Sequence, residues 1–259
     1  MSIAPASPLA NFLDHGARKT LHKAWVHLLT ALPLARTAPI VTSRYGVRMR
    51  ANWRDRTFQY CCYGTYGRAL SNYIAAQDRP FTFVDIGANQ GLYSLLAVRN
   101  PHCVSAIAFE PVAATFALLR DNIALNGASA MIQPVHAAVS LKSGMAQITT
   151  DRRHSGVASL REAREDGDEE IRILGIAGVD TLLTGDTPLI VKIDVEGHEE
   201  TVVEALMISA HRDRIAAIFY EVDGRWTDAD AIEARLCAAG FAHFARHGIG
   251  RHYDILASR

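Results

Sequence analysis

The sequence predicts an α/β fold, with a mostly parallel sheet, helices on both faces and a closing antiparallel hairpin. Three observations carry this. From Phe81 onward, short apolar runs alternate with helical stretches, which is the rhythm of a buried parallel sheet. The first run, Phe81–Ile86, ends in a glycine turn that opens directly into a helical pattern. The last two runs, Gly240–Arg246 and His252–Ala257, follow a helix and read as a hairpin at the sheet edge.

In chain order, Gly91–Arg99 reads as a helix with Leu92, Leu95, Leu96 and Val98 apolar, and Val104–Phe109 as the second strand. Val112–Asn126 is the next helix, closed by the stop signal Asn126-Gly127. Met131–Val139 reads as a third strand, with Ala146–Thr150 pairing nearby. Residues 151–170 break the rhythm: they are polar, then strongly charged, and read as a surface excursion. Ile171–Val179 returns to strand composition. Leu189–Asp194 and Ile215–Val222 read as the fourth and fifth core strands, followed by helices over about 199–209 and 228–239. Ahead of the sheet, Leu21–Leu34 has helical apolar spacing, and Gly46–Arg50 and Thr57–Tyr63 read as two short strands. This divides the chain into an N-terminal extension, 1–70, and one large domain, 71–259.

At 259 residues the chain can bury a large core. Twenty-seven basic and 27 acidic residues give zero formal net charge, so nothing drives it as a whole toward nucleic acid or an anionic membrane. Arg44, Arg48, Arg50, Arg54 and Arg56 read as a solvated hairpin face. Cys61, Cys62, Cys103 and Cys237 form no C-x-x-C pair, which fits reduced thiols in a cytoplasmic protein. The start lacks a signal-peptide layout, and Leu21–Leu34 is too short and too interrupted for a transmembrane segment. That helix and the following strands could pack on their own domain or on a twin subunit, as a homodimer.

The chemistry concentrates at strand ends. The turn Asp85-Ile86-Gly87-Ala88-Asn89-Gln90-Gly91 has Asn89 where the dinucleotide pattern has its middle glycine. An acid before the turn, with an amide and backbone N–H groups in it, suits a ligand carrying both an ammonium and a carboxylate. Glu110, ending the second strand, is placed to accept from ribose hydroxyls or, more plainly, to open the next helix. The densest cluster is Lys192-Ile193-Asp194-Val195-Glu196-Gly197-His198-Glu199. His198 stands near a helix N-terminus, whose dipole disfavours imidazolium, so a neutral imidazole could take a proton from a hydroxyl. Asp194 and Glu196 could serve as base, orient the histidine or hold a cation. No spacing demands a metal; Asp194 with Glu221 is the pair that could share a magnesium ion.

Three segments taken together, Phe83–Ser94, Phe109-Glu110-Pro111 and Lys192–Glu199, resemble the motifs of the FkbM family of class I S-adenosylmethionine-dependent methyltransferases, over about residues 45–225. Ala137-Ala138-Val139, Ser155-Gly156 and Ser159-Leu160 are smaller echoes. The resemblance implies a Rossmann-like, seven-stranded sheet and S-adenosylmethionine as cofactor. It implies that Asp85, Gly87, Asn89 and Gly91 line the methionine part, and that Ala88, Tyr93 and Ser94 also bind the cofactor. It places Glu110 on the ribose, Pro111, His136 and Ala137 at the adenine, and Asp194 near the methyl group. It further implies O-methylation of a hydroxyl on a sugar, glycan or polyketide-like metabolite. The residues themselves suggest His198 as the base, with Asp194 and Glu196 as electrostatic partners, and residues 151–159, a long excursion after the third strand, as a lid. The rival readings are a nicotinamide-dependent oxidoreductase, against which Asn89 argues, a non-catalytic adenosine-binding module, and a nucleic-acid methyltransferase, against which the zero charge argues.

Overall fold

The structure, a computed structural model, describes residues 38–149, 155, 169–248 and 250–259. The helix expected over Leu21–Leu34, and the lid expected over 151–159 apart from Ser155, lie outside the described residues.

Seven strands form the main sheet: β3 (Phe81–Ile86), β4 (Cys103–Phe109), β5 (Ile132–Val135), β9 (Leu189–Ile193), β10 (Ile215–Asp223), β11 (His243–His247) and β12 (His252–Ser258). Their order is β5-β4-β3-β9-β10-β12-β11. β12 runs antiparallel to both its neighbours, and the remaining pairings are parallel. All six residues of β3 are buried, because both faces of the sheet are covered. Alternation along β3 assigns the faces. Val84 and Ile86 pack toward α6 (Glu199–Met207) and α7 (Ala229–Ala238) through Val202, Val203, Leu206, Ile232 and Leu236. Phe81 and Phe83 point the other way, into a cluster with Leu92 and Leu95 of α3 (Leu92–Ala97) and Leu119 and Ile123 of α4 (Ala113–Leu125).

That second cluster also takes Met49, Phe58, Cys61, Leu70 and Ile74 from the N-terminal segment, so residues 47–74 share the core of the sheet. Here the structure corrects the sequence reading. Thr57–Tyr63 is not a strand: Arg56–Tyr63 is helix α1. Its Thr, Phe and Tyr residues favour strands, but Asp55 caps the N-terminus by accepting from Thr57 N (3.2 Å) and Phe58 N (3.3 Å). Gly64, in the left-handed region at φ 72°, closes the other end. The partner of β2 (Arg48–Arg50) is instead β1 (Ile40–Thr42). Helix α2 (Ala69–Ala75), with Leu70 and Ile74 buried one turn apart, is an element the sequence reading lacked.

The expected strand Met131–Val139 is two strands. β5 ends at Val135, Ala137 N donates to Val135 O at 3.0 Å in a tight three-residue turn, and β6 (Ala138–Ser140) enters a different sheet. That sheet has the order β6-β8-β7, with β7 at Gly144–Ile148 and β8 at Glu169–Gly175. The strand expected over Ile171–Val179 stops at Gly175, and α5 (Ile176–Asp180) follows. No described helix is long and apolar enough to cross a membrane.

Candidate active site

The chain leaves β3 in one direction along the sheet, through β4 and β5, and returns to build β9 and β10 on the other side. The strand order therefore switches between β3 and β9, where open α/β sheets hold their ligands. A cleft of about 650 Å³, open mouth included, lies there. Gly87 and Asn89 line it after β3, Glu110 and Pro111 after β4, Ala137 after β5, and Asp194, Glu196 and His198 after β9. Val112, Ala138, Val139, Ile148 and Ile171 make one apolar wall, built largely from the small sheet. Tyr66, from the loop between α1 and α2, stands at the acidic end.

The two loops approach closely. A Cβ on Gly87 would collide with the Asp194 carbonyl oxygen, and Gly87 has φ +77°. Asn89 and Glu196, both at φ 51°, are the positive-φ non-glycine residues among the described ones, and both line the cleft. The Glu196 loop is pinned from below: the buried Glu199 accepts from Val195 N (3.2 Å) and Gly197 N (3.0 and 3.1 Å).

Six residues assigned to the cofactor do not line the cleft. Asp85 is fully buried behind it, with Oδ2 accepting from Ser94 Oγ (2.7 Å) and N (3.2 Å). The cation that Asp85 meets is internal: Lys192 Nζ lies 3.3 Å from its Oδ1. Lys192, 3% exposed, also donates to Gly87 O and lies 3.4 Å from Asp194 Oδ2. Ala88 holds the turn by donating its N–H to Phe109 O at 2.8 Å. Gly91 lets α3 approach α4, since a Cβ there would come 2.5 Å from Leu119 Cδ1. Tyr93 donates to Tyr66 O at 2.6 Å. His136 stacks on Phe116, 4.6 Å between centroids, beside Ala137, which does line the cleft.

Glu110 opens the next helix and also braces the turn after β3. Its Oε1 accepts from Val112 N at 3.0 Å, opening α4, and its Oε2 accepts from Asn89 N at 2.9 Å, bracing the turn. Each oxygen keeps a second lone pair for the cleft it lines. Burial pushes its carboxyl up to about 7, against the pull of those backbone bonds. Glu196 is pushed further, to about 9, by burial and by its neighbours Asp194, Glu221 and Glu199. His198 is lowered by burial, and its Nε2 lies 3.1 Å from Ser140 Oγ. Desolvation thus favours the neutral imidazole. Ligand atoms of Asp194, Glu196 and Glu221 lie within 4.8 Å of one another, the spacing of a metal triad. Glu221, however, is paired with His252 Nε2 at 2.7 Å, which pushes that histidine up to about 9.

Sequence reasoning missed Tyr66 and gave Lys192 no role. It also missed Asp55, which accepts from Gln90 Nε2 and from Ser155 N (3.0 Å) and Oγ (2.8 Å), while Ser155 and Asn89 are joined through Asn89 Nδ2 and Ser155 Oγ at 3.1 Å. Only the cap pattern of Asp55 before Thr57 and Phe58 signalled that residue. Nothing in the sequence pointed Tyr66 at Asp194, 128 positions away.

The sheet order and the cleft at its switch point define a Rossmann-like methyltransferase fold. The chain belongs to the FkbM methyltransferase family: residues 85–242 match the family described as Methyltransferase FkbM domain. S-adenosylmethionine is the methyl donor that goes with this assignment. Among solved structures, the methyltransferase FkbM from Methylobacillus flagellatus KT is similar at 14% identity and a TM-score of 0.51, over 94% of this chain and 60% of that one. The precorrin-6y C5,15-methyltransferase from Geobacter metallireducens GS-15 shares 14% identity over 74% of this chain and 86% of that one, at a TM-score of 0.43. M. capricolum TrmK, solved with S-adenosyl-homocysteine, shares 14% over 74% and 67%, at 0.47. At such identities the likeness to the FkbM structure speaks to fold alone. No curated protein matches the chain.

Proposed function

We propose that this protein transfers a methyl group from S-adenosylmethionine to a hydroxyl of a small molecule or glycan. The observation that carries this reading is a cleft with two polar ends and an apolar wall between them, at the switch point of the sheet. The residues fit the donor. Glu110 offers free lone pairs for the ribose hydroxyls, Pro111, Ala137, Ile148 and Ile171 offer an apolar slot for a flat base, and Asp194 faces the cationic end. Asn89 supports the methionine end, and Gly87 beside it carries no side chain to narrow the gap between the two loops. When bound, the sulfonium supplies a methyl group already activated toward a nucleophile.

What the chain itself must do is hold the acceptor oxygen in line and take its proton. Glu196, raised to about 9, holds its own proton at neutral pH and is a hydrogen-bond donor there rather than a base. His198, its pKa lowered by burial, lines the same cleft as Asp194, so its imidazole is the base of this reading. The Ser140 hydroxyl on Nε2 fixes the ring, as a second group fixes the base in other acid–base pairs. The four cysteines form no disulfide, in keeping with a cytoplasmic setting for the reaction.

Calorimetric titration with S-adenosylmethionine, its demethylated product and NAD tests the pocket. Binding of the first two and not the third is expected, and the reverse pattern sinks the reading in favour of an oxidoreductase. His198→Ala is expected to keep donor affinity within about threefold and lose roughly a hundredfold or more in turnover, screened with labelled donor on hydroxylated metabolites and glycans. Full turnover in that variant would remove His198 as the base.

A further inference from the structure

Asp194 is the charged group at the acidic end of the cleft, and it is held in an unequal way. Lys192 Nζ approaches its Oδ2 at 3.4 Å from within β9. Tyr66 Oη donates to the same Oδ2 at 3.0 Å from the opposite side of the chain. Both of these contacts fall on Oδ2. Burial, and the neighbouring Asp194, push the Tyr66 phenol well above its ordinary range, so the hydroxyl keeps its proton and can only donate to the carboxylate.

Tyr66 is itself fixed. Its carbonyl accepts from Tyr93 Oη at 2.6 Å, the next carbonyl, Gly67 O, accepts from Tyr93 Oη at 3.2 Å and Tyr45 Oη at 3.3 Å, and the Tyr66 and Tyr93 rings pack 5.9 Å apart. Tyr93, which does not line the cleft, therefore acts on it at one remove. Tyr66 lies outside residues 85–242, the part of the chain that matches the family.

We propose that Tyr66 is a positioning residue for the methyl-donor end of the cleft: with Lys192 it anchors Asp194 through one carboxylate oxygen and leaves the other for the cofactor's cationic end. The inference rests on the methyltransferase reading above. Two donors on one oxygen fix the rotation of the carboxylate. Without the phenol, Oδ2 of Asp194 keeps only the more distant Lys192 contact, and the carboxylate is freer to turn within the cluster that it shares with Glu196 and Glu221.

The test is calorimetry of S-adenosylmethionine and S-adenosylhomocysteine on the full chain, as wild type, Tyr66→Phe and Tyr93→Phe. Tyr66→Phe removes one hydroxyl and is expected to weaken the sulfonium-bearing donor about tenfold, and the uncharged thioether product less, so that the ratio of the two affinities falls. A merely structural role would lower the melting temperature without moving that ratio. Tyr93→Phe is expected to move the ratio in the same direction by a smaller factor, and it carries the test if Tyr66→Phe does not fold. Wild-type binding with an unchanged ratio in both variants overturns the assignment of Tyr66 alone. Failure of the wild type to bind either ligand overturns the methyltransferase reading, and this inference with it.

Discussion

At the scale of single residues, the cleft is a set of buried acids made to share too few cations. Glu110 is the most informative. Its carboxyl sits at about 7 in the folded chain, above its ordinary value of 4.5. An acid whose folded value is raised stabilises the fold below the unfolded value and loses that contribution as pH rises through the folded one. Between about pH 4.5 and 7 the ligand-free protein should therefore lose roughly 3 kcal/mol from this group. Glu196 and His252, both raised to about 9, act in the same sense over a window that extends further up. The melting temperature of the free protein is thus expected to fall from pH 5.5 to 8. The shift induced by S-adenosylmethionine should grow over the same range, as Glu110 ionises and accepts from the ribose more strongly. Glu110→Gln should flatten both profiles; a wild-type melting curve independent of pH would contradict the burial argument. The acids themselves were legible in the sequence, since Glu110, Asp194 and Glu196 stand at strand ends. Their protonation was not, because it depends on neighbours such as Glu221 that only the sheet order brings alongside.

At the scale of elements, the turn after β3 and the loop after β9 behave as one unit. Asp194 N donates to Ile86 O at 3.1 Å, and Gly87 has no room for a side chain against the Asp194 carbonyl. Gly87→Ala should therefore be far more costly than Gly127→Ala at the end of α4, where φ is also positive, at +65°, but nothing lies within 4 Å. Gly127→Ala is expected to cost about 1 kcal/mol of backbone strain. Gly87→Ala should cost several times that and abolish donor binding, read by chemical denaturation and calorimetry. Equal costs at the two sites would mean that the loops separate more easily than their packing indicates. Elements with a clear period and a clear stop, β3, β9, α4 and α6, were readable within a residue or two. Thr57–Tyr63 was not, since strand-prone side chains there are overruled by caps at Asp55 and Gly64 and by the buried face of Phe58, Cys61 and Cys62.

At the scale of the whole molecule, the segment before the sheet completes the site. Asn122 of α4 and Asn126, which caps its end, hold the first hairpin: Arg50 N donates to Asn122 Oδ1 at 2.8 Å, Arg48 N to Asn126 Oδ1 at 3.0 Å, and Asn126 Nδ2 returns to Arg48 O at 2.7 Å. Asn122 Nδ2 also donates to Gln90 O at 2.9 Å, and Gln90 leads on to Asp55. Asp55→Ala would strip the cap of α1, one anchor of Ser155 and a bond to Gln90 at once. It is expected to cost on the order of 2–3 kcal/mol and to weaken donor binding severalfold, by thermal melts and titration on the same sample. Retained affinity with lowered stability would show that the N-terminal segment supports the fold and not the cleft.

The sheet, its switch point and the family motifs were legible in the residues alone, because burial on both faces and glycine turns leave local, periodic marks. So was the set of acids at the rim. Their partners emerge only in the folded chain. Asp85 lies 3.3 Å from Lys192, Tyr93 donates to the carbonyl of Tyr66, and Tyr66 reaches Asp194 across 128 positions of chain. Those partnerships follow from which strands lie side by side and which helices cover them, and hydrophobic period carries no record of a contact between residues so far apart.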